Sequence, residues 1–100
     1  MATYIIPLEP VQNQTFSIDI EDKRCDFKFF TQGLYLYMNL AIDDKDVING
    51  VICLNKAKLN QYVDIGLKGS LYFEDTNGNL DPIYYGLGSR WILNYEEADV

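Results

Sequence analysis

The chain is 100 residues long, with eight Lys and Arg against fifteen Asp and Glu and no His at all. A net charge of −7 without any basic cluster excludes a nucleic-acid binder, which has to neutralise phosphates, and argues equally against docking on anionic lipid. At 48% hydrophobic and 14% aromatic, the sequence carries enough apolar surface for one folded core, and its length makes one domain, residues 1–100.

The longest apolar runs, such as Val51-Ile52-Cys53-Leu54, fall far short of the roughly 20 residues a membrane helix needs. Met1-Ala2-Thr3-Tyr4 lacks the basic and apolar regions of a signal peptide, which predicts a cytoplasmic protein. The first element, Tyr4 to Leu8, reads as a short strand ended by Pro7 and Pro10. Proline cannot donate to a ladder, so residues 1–10 belong at a sheet edge or form an N-terminal arm over the body. Thr15 to Glu21 alternates, with Phe16, Ile18 and Ile20 on one face and Ser17, Asp19 and Glu21 on the other. A period of two is the signature of a half-buried antiparallel strand.

Glu21-Asp22-Lys23 then turns the chain. Cys25, Phe27 and Phe29 face the core of the next strand, while Asp26 and Lys28 face water. After Thr31-Gln32-Gly33, Leu34 to Leu40 forms a fourth strand. Leu34, Leu36, Met38 and Leu40 lie on its core face, and Tyr35, Tyr37 and Asn39 on the other. The acidic turn Asp43 to Asp46 leads to a fifth strand, Val47 to Leu54, broken at Asn49-Gly50 by a bulge or corner. Asn55 to Asp64, with Ala57, Leu59 and Tyr62, is the one stretch with helical character. The chain closes with Leu71 to Glu74 and Arg90 to Tyr95, two strands joined by a turn-rich connection. Asn77-Gly78 tolerates positive φ there, Asp81-Pro82 sets a second bend, and Gly86 and Gly88 break the chain again. Glu96 to Val100 reads as an acidic, flexible tail. About seven short strands predict an all-β domain, a small antiparallel β-barrel or β-sandwich.

Chemistry is sparse. Without His there is no Ser-His-Asp or Cys-His arrangement, and no phosphate-binding glycine motif is present. Cys25 and Cys53 sit in apolar alternation and read as buried free thiols. Asp75, Asn77, Asn79 and Asp81 space their oxygens like the start of a calcium loop. Leu80 and Gly86, however, stand where that loop needs Gly and Glu, so a solvated turn is expected. The prediction is therefore no enzyme: no catalytic residues, no metal and no cofactor. Tyr4, Ile5, Ile6, Tyr35, Tyr37, Tyr84 and Tyr85 are the candidate partner-binding residues, because surface tyrosine is enriched at protein interfaces. A different class of function competes with this one: a ligand- or saccharide-binding module that stacks its ligand on exposed tyrosines and Trp91.

The ordered set Ile6-Pro7-Leu8, Gln14-Thr15-Phe16, Gly33-Leu34-Tyr35, Asn49-Gly50-Val51, Gly69-Ser70-Leu71-Tyr72-Phe73, Asp81-Pro82 and Leu87-Gly88-Ser89-Arg90-Trp91 resembles a family of small phage and prophage proteins. These are the baseplate plug proteins of contractile-tailed phages, of the kind described in a cyanophage baseplate. The resemblance implies a structural virion component held by other tail and baseplate proteins, with no catalytic residues. It also implies assembly in the host cytoplasm and then a place in the virion baseplate; because tail components follow the symmetry of the tube, several copies around its axis are expected, and a trimer is the hypothesis.

Overall fold

The computed structural model describes residues 2–60 and 66–98. Four strands run as a meander: β2 (Asn13–Ile20), β3 (Lys23–Gln32), β4 (Tyr35–Ile42) and β5 (Lys45–Ile52). A second antiparallel sheet has the order β1-β7-β6, from β1 (Thr3–Ile6), β6 (Ser70–Asp75) and β7 (Trp91–Glu96). One 3-10 turn, Tyr84–Gly86, interrupts the connection between β6 and β7. The all-β expectation holds, and its two options reduce to two packed sheets.

Alternation explains the core. Phe16 pairs with Phe27, Phe27 with Leu40 and Leu40 with Ile48, forming one apolar row across the larger sheet. Phe29, Met38 and Val51 form the next row. The smaller sheet answers with Ile6, Leu93 and Phe73 in one row and Tyr4, Tyr95 and Leu71 in another. Phe29 meets Phe73 edge-on at 5.8 Å, the geometry aromatic quadrupoles prefer, and this contact joins the two sheets.

The turns carry local strain. Glu21-Asp22 and Asp43-Asp44 are two-residue hairpin connections with φ of 56°, 61°, 50° and 67°. Positive φ at both central positions marks the turn whose twist suits flanking strands, a conformation that Asn and Gly adopt more readily than Asp or Glu. At Asn49-Gly50 the register slips: β4 takes two steps from Met38 to Leu40, while β5 takes three from Val51 to Ile48. Of the bulge or corner expected there the register makes it a bulge, with Gly50 at φ 70°.

Three expectations need correction. Leu34, placed on a core face by parity, is 78% exposed. It sits with Gly33 in the two-residue turn between Gln32 and Tyr35, where the chain has left the pleat. Residues 55–60 form no helix, because they are spent on the outer edge of β6. Asn55 and Lys58 bridge to Phe73 and Tyr72, and the Leu59 N–H donates to the Leu71 carbonyl at 2.7 Å. The remainder of that stretch, with Tyr62, lies outside the described residues. The acidic tail starts later than its composition suggests. Glu96 ends β7, and the Glu97 N–H donates to the Ala2 carbonyl at 2.9 Å. Asp99 and Val100 lie outside the described residues.

Candidate functional site

One end of the sandwich gathers three loops: residues 7–12, the Gly33-Leu34 tip and the long connection 76–90. Their contacts hold them together. Thr31 Oγ1 donates to the Gln12 carbonyl at 3.0 Å, and Gly88 packs so closely on Leu8 that a Cβ there would lie 2.4 Å from its carbonyl oxygen. Trp91 Nε1 donates to the Leu80 carbonyl at 3.1 Å, and Tyr85 stands edge-on to the Trp91 ring at 5.9 Å. Onto this frame the chain places exposed apolar side chains: Val11, Leu34, Tyr35, Leu80 and Tyr85, the last 61% exposed. An apolar set on rigid, internally bonded loops is the surface a protein partner can cover at low entropic cost.

Asp75 is what makes the connection rigid. Its buried carboxylate takes two bonds from Arg90, Nε at 2.8 Å and Nη2 at 2.9 Å, and two from the Asn77 and Leu80 N–H groups. The Arg90 guanidinium therefore holds the Asp75 carboxyl well below the usual carboxylate range. Arg90 in turn lies 4.5 Å over the Trp91 ring. The solvated calcium-like turn is thus corrected at its first position, because Asp75 is occupied internally. Asp81 is occupied too: its Oδ1 accepts the Asn55 N–H at 2.9 Å.

The opposite end is acidic and holds the sheets together through one side chain. Glu21 accepts the Lys68 and Gly69 N–H groups at 3.0 Å and the Tyr95 hydroxyl. Burial pushes the Glu21 carboxyl up, but donation from Lys68, Tyr95 and Gly69 outweighs it and brings the group below its ordinary value. Burial first, and then the bond to Glu21, holds the Tyr95 phenol well above its ordinary value. Beside this junction an open groove of about 770 Å³ runs between β1 and β2, lined by Tyr4, Ile5, Ile18, Asp19, Lys23 and Lys68 among others.

The candidate residues therefore fall in separate places. Tyr35 and the Tyr84-Tyr85 pair, with ring centroids 6.0 Å apart, come to the apolar loop end. Tyr4 and Ile5 come to the groove, where the Tyr4 hydroxyl donates to Glu97 at 2.7 Å and Ile5 is 63% exposed. Ile6 also borders the groove but turns inward, only 3% exposed, and belongs to the core. Tyr37 lies on the outer face of β4, stacked on Phe30 at 5.7 Å with Lys28 Nζ 5.9 Å from the Phe30 ring. Phe30 was missed. Its signal was an aromatic at an outward parity position, directly after Phe29. Arg90 was missed because its partner lies fifteen positions away across a hairpin.

Trp91 is fully buried, so the ring proposed as a stacking platform has no face to offer a saccharide. Among the described residues no group of three or more His, Cys, Asp or Glu side chains converges to hold a metal. Cys25 and Cys53 are free and buried, and burial pushes the Cys25 thiol up to about 11.

A protein-family model described as cyanophage baseplate Pam3 plug gp18 matches residues 3–98 of the chain. No curated protein matches it.

Proposed function

The chain belongs to the cyanophage baseplate plug family, and from that premise we propose that it is a non-enzymatic structural subunit of a contractile phage or prophage tail. It works through protein–protein contacts with other baseplate proteins. The observation that carries this reading is the family match over residues 3–98, nearly the whole chain. The apolar loop end supports it physically, offering Leu34, Tyr35, Leu80 and Tyr85 on a scaffold stiffened by Asp75 and Arg90. Aromatic and aliphatic anchors on a rigid scaffold are where interface energy concentrates. Tyr4 and Ile5 at the groove and Tyr37 on the outer face give further contacts around the body. Tail components follow the rotational symmetry of the tube, so the subunit assembles as a trimer around the tail axis, formed in the host cytoplasm and carried into the virion.

The test is a pull-down of tagged protein from a lysate of the induced phage or prophage, alongside a Leu34→Asp/Tyr85→Asp double variant. Both positions are exposed, so the variant stays folded, with a melting temperature lowered by several degrees through the loss of the Tyr85–Trp91 contact. Recovery of spike, hub or tube proteins in a defined ratio by the unaltered chain, and their loss with the variant, is the expected result. Recovery of nothing, together with a monomer by light scattering when all tail proteins are present, overturns the assignment.

A further inference from the structure

We propose that the outer edge of β2, from Thr15 to Asp19, is a docking site for an extended cationic segment of a partner protein, which adds to the larger sheet as a fifth strand. Two sheets have four edges, and three of them are closed against further pairing. β5 is broken by two register shifts. β6 is covered by residues 55–60. β1 is four residues long and runs into Pro7. β2 has none of these protections. It is eight residues long, regular over its whole register with β3, and contains no Pro, Gly, Lys or bulge. Among the described residues, only Gln14 near its start hydrogen-bonds a segment other than β3, exchanging two bonds with Glu9. Folds usually blunt so open an edge, because its row of unpaired backbone groups is a template for another strand.

The surroundings define the guest. The groove along the β2 edge is walled by Ile18 on one side and by exposed Ile5 on the other. Side chains of an added strand alternate between the seam and the outside. Those facing the seam land beside Phe16, Ile18 and Ile5 and should be apolar. Those facing outward land beside Thr15, Ser17 and Asp19, with Asp22 exposed in the adjoining turn; of the cations behind them on β3, Arg24 is paired with Asp26 at 3.1 Å and Lys28 lies over the Phe30 ring. Of the two cations lining the groove, Lys23 is occupied by the Gly66 carbonyl at 3.1 Å. A chain of net charge −7 repels its own copy and attracts a basic one. The match is a strand that alternates apolar with basic residues, held by main-chain bonds and selected by charge. The inference stands on edge geometry and does not depend on the apolar loop end being a contact.

The experiment titrates the full chain into a labelled synthetic peptide as long as β2 that alternates Val and Lys. Fluorescence anisotropy reads binding, and hydrogen exchange reads the site. Controls are the same peptide with alternate amides N-methylated, and a Val–Glu version. Saturable binding is expected, with slowed exchange of the β2 amides and a loss of about tenfold or more on N-methylation. Asp19→Asn, which keeps the size and sets no cation opposite Arg24, should weaken the Val–Lys peptide several-fold, narrow its preference over the Val–Glu peptide and move the melting temperature by no more than a few degrees. Equal binding of the N-methylated peptide, protection outside β2, or no binding at all overturns the proposal. So does a dimer of the free chain that itself slows exchange in β2, since that assigns the edge to a second copy.

Discussion

Replacing Tyr95 with Phe removes a single hydroxyl from the junction between the two sheets and leaves the packing volume almost unchanged. That hydroxyl donates to the Glu21 carboxylate, and a bond to a charged acceptor contributes roughly 1.5–3 kcal/mol. Glu21 keeps the Lys68 and Gly69 N–H groups at 3.0 Å, so it is not orphaned, and the lower part of that range applies, about 1.5–2 kcal/mol. For a domain of this size the loss lowers the melting temperature by roughly 10 °C. The pH dependence has a definite sign. Glu21 titrates below its ordinary value when folded, so its contribution is complete above the usual carboxylate range. It is lost as the pH falls through the lowered folded value. A protonated Glu21 accepts only an ordinary hydrogen bond, so once the pH has fallen through its lowered folded value the difference between the two proteins narrows to about 1 kcal/mol or less. Tyr95 titrates above its ordinary value when folded, so stability from that group is complete below about pH 10 and lost as the pH rises further. The variant has no such alkaline limb. Urea denaturation of both proteins across this range is the assay. A loss below about 0.5 kcal/mol at neutral pH, or one of equal size in acid, refutes the reasoning.

Gly88→Ala should cost about 2–3 kcal/mol by urea midpoint, because φ is 83° and the new Cβ would press on the Leu8 carbonyl oxygen; a neutral result would detach loop 7–12 from that turn. Asp22→Gly and Asp44→Gly relieve positive φ at two hairpins and should each stabilise by about 0.5–1 kcal/mol in the same assay. Asp43 is left alone in that comparison because its Oδ1 accepts the Arg24 N–H at 3.1 Å. Cys25 and Cys53 should resist maleimide in the native state and label only at the rate the chain opens, with urea accelerating both together. Rapid native labelling at neutral pH would contradict their burial.

Much of the fold was legible because it is written in a period of two. Phe16, Ile18 and Ile20 against Ser17 and Asp19, or Leu36, Met38 and Leu40 against Tyr37 and Asn39, announce strand and face without reference to any neighbour. The positions that misled were those where local preference and tertiary demand part company. Leu34 has the parity of a core residue but occupies a turn. Residues 55–60 contain helix formers, yet the open edge of β6 offers them more hydrogen bonds than a short isolated helix could keep in water.

By itself, then, the sequence determined the all-β class, most strand faces, a break in β5 at Asn49-Gly50 and the family resemblance, since each depends on near neighbours or on ordered short motifs. Only the tertiary structure decided that β1 lies along β7, that Glu21 holds the sheets together and that Asp75 serves Arg90 rather than solvent. It also decided that the tyrosines split between an apolar loop end, a groove and the outer face of β4, and that among the described residues β2 is the sheet edge left open. Those outcomes join residues as far apart as Thr3 and Glu96. No local pattern encodes such a pairing, because its energy exists only once the intervening chain has folded.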